Sequence, residues 1–545
     1  MFRKLQKFVE KIESYPLTIP KWILAFSSII AVRVLGENLI GGFESKSPSF
    51  FLGSALVAFL FFLFSYLTIL SFLLLYIKDN IAKFANILLW GFTLAVFPPL
   101  IDKIWCGTQK CWSFYAFDSF PGLIHRFFTF FGDNPTIGIT YGVRVEVLLA
   151  VIFIGIYVYL KTERLVKAII GAVLAYVILF ILGSFPSWLT FVFHIFAKNL
   201  AAVQGYDIAA LFLSPISYFS FLDSDFLNAL NLKMNLVYAF LTIPALMLII
   251  WLAYREKARE IAKNVRWIQI SVHVGLILVG AGLGAFYFPA NLKINIFSYF
   301  ALANLILAAV LAWLASVFVN DIEDIEIDRV SNKARPLAKE NVSVSEYRSL
   351  FLVSFILSLI LALTVGVKFF LIILIYQVIG WVYSAWPFRL KRFPIIASFL
   401  SALALALLFI SGFILLADGQ NISELPARVF WLLIIAFTVS LPIKDLKDIE
   451  GDRKNEVWTI PVLLGESWSR FLIGLGIFIS YSLSVIWLNA KILFLPAMIL
   501  GAISFAVLQN KKISPRRVHI WIFGFLFLYV LLMGYLVFWP VVKFS

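Results

Sequence analysis

Apolar segments long enough to cross a lipid bilayer recur from one end of this chain to the other. Hydrophobic residues make up 62% of its 545 residues, and charged residues make up only 14%. Because a transmembrane helix needs about 20 mainly apolar residues, these segments predict about 15 spans. The segments are continuous instead of alternating, which excludes the pattern of a lipid-facing β-barrel. The sequence therefore predicts an all-α polytopic membrane protein.

The predicted spans fall into two groups, separated by the basic and polar segment 254–266. About six spans precede this segment and about nine follow it, counted by the length of each apolar run. We therefore predict an N-terminal membrane module at residues 1–260, of unknown function, and a second membrane domain at residues 261–545.

The formal net charge of +15 comes from basic residues that sit mainly in short loops between the apolar runs. This distribution follows the positive-inside rule and favours contact with anionic lipids. We therefore expect membrane lipids as partners and no nucleic acid. Counting spans from the N-terminus places every strongly basic loop on one side of the bilayer, which predicts a cytoplasmic N-terminus.

Two acidic clusters of nearly equal spacing lie at the ends of predicted spans in the second domain, both on the predicted cytoplasmic side. One extends from Asn320 to Asp328 and the other from Lys444 to Asp452. In each, carboxylates recur at positions i, i+3 and i+7, which a helix places on one face. These carboxylates belong to Asp321, Asp324, Asp328, Asp445, Asp448 and Asp452. So much negative charge is unfavourable unless a cation neutralises it, which predicts a divalent-metal site that binds a polyphosphate.

Mg²⁺ suits this pattern, because it prefers oxygen ligands and is typically held by a few carboxylates together with substrate phosphate. Basic residues on the same predicted side would complete a diphosphate clamp. These residues are Arg335, Lys391, Arg392, Lys444 and Arg453. Aromatic side chains in the apolar interior would stabilise a carbocation. The pattern predicts ionisation of an allylic diphosphate and capture of the resulting cation by an acceptor.

Three ordered segments of the second domain resemble the signatures of the UbiA-type intramembrane prenyltransferases. The first is 320–337, which begins Asn-Asp-x-x-Asp-x-x-x-Asp, and the last is 444–465, which begins Lys-Asp-x-x-Asp-Ile-Glu-Gly-Asp. Between them, 383–392 contains the Tyr-Ser and Lys-Arg pairs that are similar to a third family segment. The family fold has nine helices with its acidic motifs after the second and sixth, in agreement with the spans counted here.

The resemblance implies a membrane prenyltransferase that moves an isoprenoid chain from a prenyl diphosphate to a lipid-like or aromatic acceptor. It implies that the first motif, including Asn320, holds one Mg²⁺ and that the second motif holds another. Arg335 and Lys391 would contact the diphosphate, and Tyr383 would lie near the cation or the leaving group. The predicted catalytic residues are Asp321, Asp324, Asp445, Asp448 and Tyr383. The predicted substrate-binding residues are Asn320, Arg335, Lys391, Lys444 and Arg453.

The sequence does not identify the acceptor of the prenyl group. The stretch Lys339-Glu340-Asn341 departs from the small, glycine-containing stretch often found at this point in the family. The first span of the second domain also carries no acceptor-pocket signature. Family members modify quinone-precursor aromatics, glyceryl-phosphate lipids, tetrapyrroles or sugar phosphates, and these residues do not select among them.

Two other classes of function compete with the enzyme. A transporter or ion-binding membrane protein would also have many spans, but its carboxylates are expected near mid-span or at broken helices. The acidic clusters lie at span ends instead. The other alternative is a catalytically silent scaffold that binds lipid, and the intact aspartates at every motif position argue against it.

The first module carries charged residues in or near its spans, namely Arg33 with Glu37 and Arg144 with Glu146. Intramembrane charge is costly and often functional. Pairing or snorkelling near the span ends would account for these residues without a binding role. A site for an acceptor or a lipid headgroup is the alternative.

The chain has two cysteines, Cys106 and Cys111, close together in one polar loop of the first module. They would form a small disulfide if that loop faces an oxidising compartment, and would otherwise remain free thiols. The sequence leaves both states open.

Overall fold

The computed structural model describes residues 2–41, 48–107, 112–132, 137–196, 203–263, 265–447, 449–454 and 457–538. Most of these residues are helical, and fifteen helical segments in the described part are long and apolar enough to span a membrane. Helices are the expected solution, because backbone groups in hydrocarbon must satisfy their hydrogen bonds within the segment. The predicted all-α polytopic class and the number of spans are confirmed.

The chain separates into two compact units. The first contains Met1–Ile216 and Leu222–Ala258, and the second contains Ser217–Phe221 and Arg259–Ser545. One helix, Phe226–Lys263, passes from the first unit into the second and leaves helical geometry at Tyr254 (φ −133°, ψ 31°). This departure lies in the basic segment where the sequence placed its domain boundary.

The first unit is built from ten helices of the described residues and the greater part of the connecting helix α11. They are α1 Phe2–Glu13, α2 Ile19–Gly41, α3 Pro48–Tyr76, α4 Ile81–Gly91, α5 Pro98–Cys106, α6 Phe120–Phe128, α7 Tyr141–Thr162, α8 Leu165–Gly183, α9 Phe185–Phe196, α10 Gly205–Leu213 and α11 Phe226–Lys263. A 3₁₀ turn, Phe92–Val96, joins α4 to α5. The short strands β1 Trp112–Ser113 and β2 Ile137–Gly138 pair in parallel. Two further short strands, β3 Ile216–Tyr218 and β4 Phe221–Asp223, include residues of the segment Ser217–Phe221, which belongs to the second unit.

Aromatic side chains form the centre of the first unit. Trp22 and Phe26 of α2 stack with ring centroids 4.9 Å apart, and Tyr66 of α3 meets Phe26 edge-on at 5.7 Å. Tyr66 also donates a hydrogen bond to the carbonyl oxygen of Ala85 at 2.9 Å. Such pairs contribute beyond the area that they bury.

Polar contacts attach α1 to the rest of the first unit. The Tyr157 hydroxyl donates to the Glu13 carboxylate at 2.7 Å. Lys161 forms ion pairs with Glu13 at 3.1 Å and with Asp79 at 2.7 Å. The amphipathic α1 is therefore held at its C-terminal end by residues of α7.

Eleven further helices of the described residues form the second unit. They are α12 Trp267–Tyr287, α13 Ile296–Glu323, α14 Ile325–Ser331, α15 Val344–Val365, α16 Val367–Ser384, α17 Pro394–Leu416, α18 Ala427–Ser440, α19 Ile449–Lys454, α20 Ile460–Trp487, α21 Phe494–Gln509 and α22 Pro515–Met533. The 3₁₀ turns are Pro289–Asn291, Leu390–Arg392, Asp418–Gln420, Ile422–Glu424, Leu441–Lys447 and Lys491–Leu493, and a π-helical turn, Gly534–Phe538, follows α22.

Glycines bring α12 and α17 into backbone contact. A Cβ atom on Gly280 would lie 2.0 Å from the carbonyl oxygen of Phe409, and one on Gly412 would lie 2.0 Å from that of Ile277. Only residues without a side chain allow helices to approach this closely. This contact fixes α12 against α17, and both helices contribute residues to the cavity described next.

Candidate active site

The first acidic motif lies where α13 gives way to α14. Asn320 and Asp321 occupy the last turn of α13, Asp324 lies between the two helices, and Asp328 belongs to α14. The backbone of Asp324 (φ −105°, ψ 15°) is outside the α-helical region. One continuous helix with three carboxylates on a single face was therefore a wrong prediction, because the helix breaks at Asp324.

The second acidic motif follows α18. This helix ends at Ser440, and the chain continues as the 3₁₀ turn Leu441–Lys447, which carries Lys444 and Asp445. Asp452 lies in the short helix α19. Asp448, a predicted metal ligand and catalytic residue, lies outside the described residues.

Residues of both motifs line one cavity of about 330 Å³ within the second unit. Its charged and polar lining includes Asn320, Asp324, Asp328, Asp445, Asp452, Arg266, Arg335, Tyr383, Lys391, Lys444 and Lys447. Its apolar lining includes Val272, Trp313, Ala397, Ala404, Leu405 and Phe523. The cavity therefore combines a dense set of charges with an apolar wall, as an amphipathic substrate requires.

Lys391 holds the polar end of α13. Its ammonium donates to both carboxylate oxygens of Asp324 at 2.6 Å and to the amide oxygen of Asn320 at 3.1 Å. Arg389 donates to Asp324 at 3.1 Å, and the Ser384 hydroxyl donates to the Asn320 oxygen at 3.3 Å. All three donors come from the end of α16 and the α16–α17 connection, which therefore orients the first motif.

Arg335 bridges two aspartates of the same motif. Its Nη1 atom contacts the carboxylates of Asp328 and of Asp321, the latter at 3.0 Å. Arg266 donates to Asp321 at 3.1 Å. Asp321 is only 6% exposed and is not among the residues that line the cavity, whereas both arginines line it. Asp321 thus contacts the cavity through the two arginines that it orients.

Lys444 and Tyr383 connect the second motif to α16. The Lys444 ammonium donates to the Tyr383 hydroxyl at 3.2 Å and lies 5.3 Å from the centre of its ring. Asp452 accepts a hydrogen bond from the Thr459 hydroxyl at 3.3 Å. These four residues line the cavity, but Arg453, a predicted substrate-binding residue, is exposed and does not line it.

Burial and neighbouring charges shift the pKa of three groups in this site. Burial lowers the pKa of Lys391, and the adjacent Asp324 only partly offsets this effect. Burial raises the pKa of Asp328 despite the opposing effect of Arg335. Burial also disfavours the charge of Arg335, but Asp321 and Asp328 outweigh it and raise the pKa of its guanidinium. Burial thus works against the charges of Lys391 and Asp328, and their ion pairs with Asp324 and Arg335 offset this effect in part.

The oxygen donors of the cavity match the chemistry of Mg²⁺, which prefers carboxylate and carbonyl oxygens. Within the described residues, which omit Asp448, no group of three His, Cys, Asp or Glu side chains converges on a metal position. The carboxylates of the first motif are instead neutralised by Lys391, Arg335 and Arg266. The donor set fits Mg²⁺ if these cations transfer to an anionic substrate.

Several contacts of the site were not predicted. Arg266, Arg389 and Ser384 contact the first motif, although no role was predicted for them from the sequence. The sequence offered two signals for them. Arg266 is a basic residue just before α12, and Ser384 and Arg389 lie within two positions of the predicted Tyr383 and Lys391. His273 and Tyr376 also line the cavity and are joined by a hydrogen bond of 2.8 Å.

A multi-pass membrane fold with two acidic motifs on one cavity defines the class of protein. The sequence profile of the UbiA prenyltransferase family matches residues 276–531. Digeranylgeranylglyceryl phosphate synthase from Methanopyrus kandleri is 30% identical over 219 residues, which cover 39% of this chain and 70% of that protein. The chain belongs to the UbiA prenyltransferase family, as the resemblance of its motifs indicated.

Two further relatives match over a shorter part of their length. Digeranylgeranylglyceryl phosphate synthase from Sulfolobus acidocaldarius is 32% identical over 167 residues, which cover 30% of this chain and 58% of that protein. Homogentisate phytyltransferase from Synechocystis sp. is 31% identical over 173 residues, covering 28% and 54%. The chain thus spans little more than half of these two relatives. A solved UbiA homolog from Archaeoglobus fulgidus bound to DMAPP and Mg²⁺ is 21% identical, with a TM-score of 0.38, covering 50% of this chain and 96% of that one.

Proposed function

We propose that this chain is a Mg²⁺-dependent membrane prenyltransferase. It transfers an isoprenoid chain from an allylic prenyl diphosphate to a hydrophobic or amphipathic acceptor. The observation that supports this most directly is the single cavity lined by carboxylates of both motifs, by basic residues and by an apolar wall. In this proposal the N-terminus and both motifs face the cytoplasm.

The diphosphate head binds to cations that contact aspartates in the free protein. Lys391 and Arg335 each hold a carboxylate of the first motif and also line the cavity. They turn from these carboxylates to the diphosphate oxygens, because a doubly charged phosphate group is a strong acceptor for ammonium and guanidinium donors. The exchange leaves Asp324 and Asp328 free to bind metal.

The metal ligands in this proposal are Asn320, Asp321, Asp324, Asp328, Asp445, Asp448 and Asp452. When bound, Mg²⁺ supplies charge neutralisation to the diphosphate as a leaving group. Asp321 is the least direct of these ligands, since it reaches the cavity only through Arg266 and Arg335. Holding Arg266 and Arg335 in place would also require an aspartate at position 321, whether or not it binds metal.

The reaction begins when the allylic C–O bond breaks and the diphosphate leaves with the bonding electron pair. Lys391 and Arg335 stabilise the departing negative charge through hydrogen bonds. The ring of Tyr383 and the apolar wall, including Trp313 and Phe523, surround the prenyl group without offering a strong nucleophile. The acceptor then forms a bond to the cation and loses a proton.

The acceptor class is proposed from the names of the relatives. A digeranylgeranylglyceryl phosphate synthase and a homogentisate phytyltransferase point to a glyceryl-phosphate lipid and to an aromatic acid. Both are amphipathic, with an anionic group that suits a cavity whose lining includes Arg266 and Lys447. An acceptor panel therefore includes both classes.

The test uses the purified full chain in detergent with radiolabelled prenyl diphosphates, the acceptor panel, and either Mg²⁺ or EDTA. We expect a prenylated product with at least one acceptor, formed only with Mg²⁺ and accompanied by release of diphosphate. Diphosphate release that is equally fast in EDTA would contradict metal-dependent ionisation. Absence of product and of diphosphate release with every acceptor in Mg²⁺ would favour a binding scaffold over an enzyme.

A further inference from the structure

The first unit contains a second cavity, of about 700 Å³, lined by described residues of that unit alone. Its walls come from α1, α2, α3, α4, α7, α8 and α11, together with residues near β1 and β2. Cavities that hold small molecules typically measure about 300–1,000 Å³. The cavity is therefore large enough for a ligand and belongs to the unit that does not carry the acidic motifs.

The cavity follows the length of two membrane helices. On α3 its lining recurs at helical spacing from Ser54 through Phe61 and Ser65 to Leu73. With a rise of about 1.5 Å per residue, Ser54 and Leu73 lie about 28 Å apart along the axis, close to the hydrocarbon thickness of about 30 Å. On α7 the lining extends across 143–160. A space this long beside two spans suits an extended hydrocarbon chain.

The two ends of the cavity differ in polarity. One span separates α3 from α7, so both helices cross the membrane in the same direction. Ser54 lies near the start of α3 and Glu146 near the start of α7, so both polar residues line the same end of the cavity. The last lining residues of the two helices, Leu73 and Leu160, are apolar. The cavity thus has a polar end and an apolar end, which suit the head and the chain of an amphipathic molecule.

The charge of Arg33 is balanced within the protein. Its Nη2 donates to Glu37 at 2.8 Å and its Nη1 to the carbonyl oxygen of Ala95 at 2.9 Å. Arg33 is only 5% exposed, and both members of the Arg33–Glu37 pair line the cavity. The Nε atom of Arg33 has no hydrogen-bond partner among the described residues, but two carboxylates, Glu37 and Glu146, interact with this one guanidinium or with each other, which disfavours an anionic ligand head.

Glu146 is a lining residue whose carboxyl group lacks a hydrogen-bond donor among the described residues. The described residues give its carboxylate no hydrogen bond and no ion pair within 4 Å, although its charge interacts at longer range with those of Arg33 and Glu37. Arg144, two residues away on α7, donates to the carbonyl oxygens of Ile139 and Phe131. A carboxyl group in an apolar cavity is costly unless a donor satisfies it. A ligand with a hydroxyl or amine head would supply that donor.

We propose that this cavity binds a long-chain lipid whose head carries hydrogen-bond donors and no negative charge. The head lies at Glu146, and the chain extends between α3 and α7 toward Leu73 and Leu160. This inference concerns the first unit and does not depend on the proposed prenyl transfer.

The test measures binding of a tritium-labelled long-chain prenol to the purified full chain in detergent, with the amine and the carboxylic acid of matched chain length as competitors. We expect saturable binding near one prenol per chain. The amine should displace the prenol, and the acid should be at least about tenfold weaker. An acid that competes as well as the amine would overturn the assignment of Glu146 as the head contact.

Two variants locate the site. Ala150→Trp on α7 fills the cavity and should weaken prenol binding about tenfold or more, whereas Ile152→Trp, at a 43% exposed position on the same helix, should leave it unchanged. Glu146→Leu should weaken both prenol and amine binding without adding volume, which covers the case of an Ala150 variant that does not fold. If Ala150→Trp folds and binds normally, or Glu146→Leu binds normally, the proposal is wrong.

Discussion

The aspartates of the first motif contact four basic side chains that come from three parts of the chain. Arg266 precedes α12, Arg335 follows α14, and Arg389 and Lys391 lie between α16 and α17. Burying a carboxylate without such a partner costs several kcal/mol, roughly 3–5 when one member of a pair is removed. The free protein thus keeps both the metal ligands and the phosphate-binding cations in place by pairing them with each other.

Replacing Asp324 by Asn tests this arrangement at a single carboxylate. Asp324→Asn removes a metal ligand and the charge that orients Lys391, so we expect prenyl transfer to fall about 100-fold or more. The matched control is Glu326→Gln, two residues away, whose side chain is 81% exposed. Its exposed pair with Arg329 contributes little, so the steady-state rate should stay near that of the unchanged protein. Equal losses in both variants would contradict a specific role for Asp324.

The pH dependence of substrate binding tests Lys391. Because burial lowers the pKa of Lys391, its ammonium is lost at a lower pH than an ordinary lysine, whose pKa is about 10.4. The KM for prenyl diphosphate should therefore begin to rise at an alkaline pH lower than about 10.4, as Lys391 loses its charge. Lys391→Arg keeps its charge throughout this range and should remove the alkaline rise.

The control for this pH profile is Lys333→Arg, at an exposed position of the same unit. It should keep the alkaline rise of the unchanged protein. An alkaline rise that persists in Lys391→Arg would assign the titration to another group.

Much of the site could be predicted from the spacing of its carboxylates, and the rest depended on long-range contacts. The spacing identified Asp324, Asp328, Asp445 and Asp452, which line the cavity. It did not reveal that Asp321 turns toward two arginines, because helical spacing assumed a helix that breaks at Asp324. Arg266 and Arg389 escaped notice because their partners lie 55 and 65 residues away.

At the scale of the helix, the membrane makes element prediction easy and packing prediction hard. Each span must satisfy its own backbone, so length and hydropathy alone identify it. The same helices are apolar on nearly every face, which removes the amphipathic signal that indicates a buried face in soluble proteins. Glycine spacing remained as a packing signal: Gly280 and Gly284 on α12 form a G-x-x-x-G pattern against α17.

Adding a side chain at the α12–α17 contact should destabilise the second unit. In Gly280→Leu the new Cβ meets the Phe409 carbonyl oxygen, which cannot move without shifting α17. We expect a loss of about 1–3 kcal/mol or more, seen as a lower temperature at which the detergent-solubilised protein stops eluting as a single species. Gly275→Leu on the same helix is the control, because no atom lies within 4 Å of its Cβ position. Equal stability of the two variants would contradict the contact.

At the scale of the whole molecule, the charge of the loops predicts how the chain crosses the bilayer. Fifteen spans in the described residues place the loop 510–514 and the turn near Lys491 on opposite sides. Both regions are exposed and carry lysines that are not part of either cavity. The orientation follows from the positive-inside rule and is open to direct measurement.

Labelling of single introduced cysteines in a cysteine-free background tests this orientation. With an impermeant maleimide on intact cells, Lys491→Cys should be labelled directly and Lys512→Cys only after permeabilisation, because the positive-inside rule predicts that the basic loop faces the cytoplasm. Both residues are exposed lysines of the second unit, so each serves as the control for the other. The reverse labelling pattern would place both acidic motifs outside the cell and would contradict the proposed orientation.

Cys106, at the end of α5, is disulfide-bonded, and the other cysteine of the chain, Cys111, lies outside the described residues. Disulfides persist in oxidising surroundings and are rare in the cytosol. In the proposed orientation the end of α5 lies on the outer side of the membrane, so a host that keeps this side reducing would yield chains without the disulfide. Growth with a membrane-impermeant reductant should then free the Cys106 thiol, which a thiol titration of the purified protein would detect.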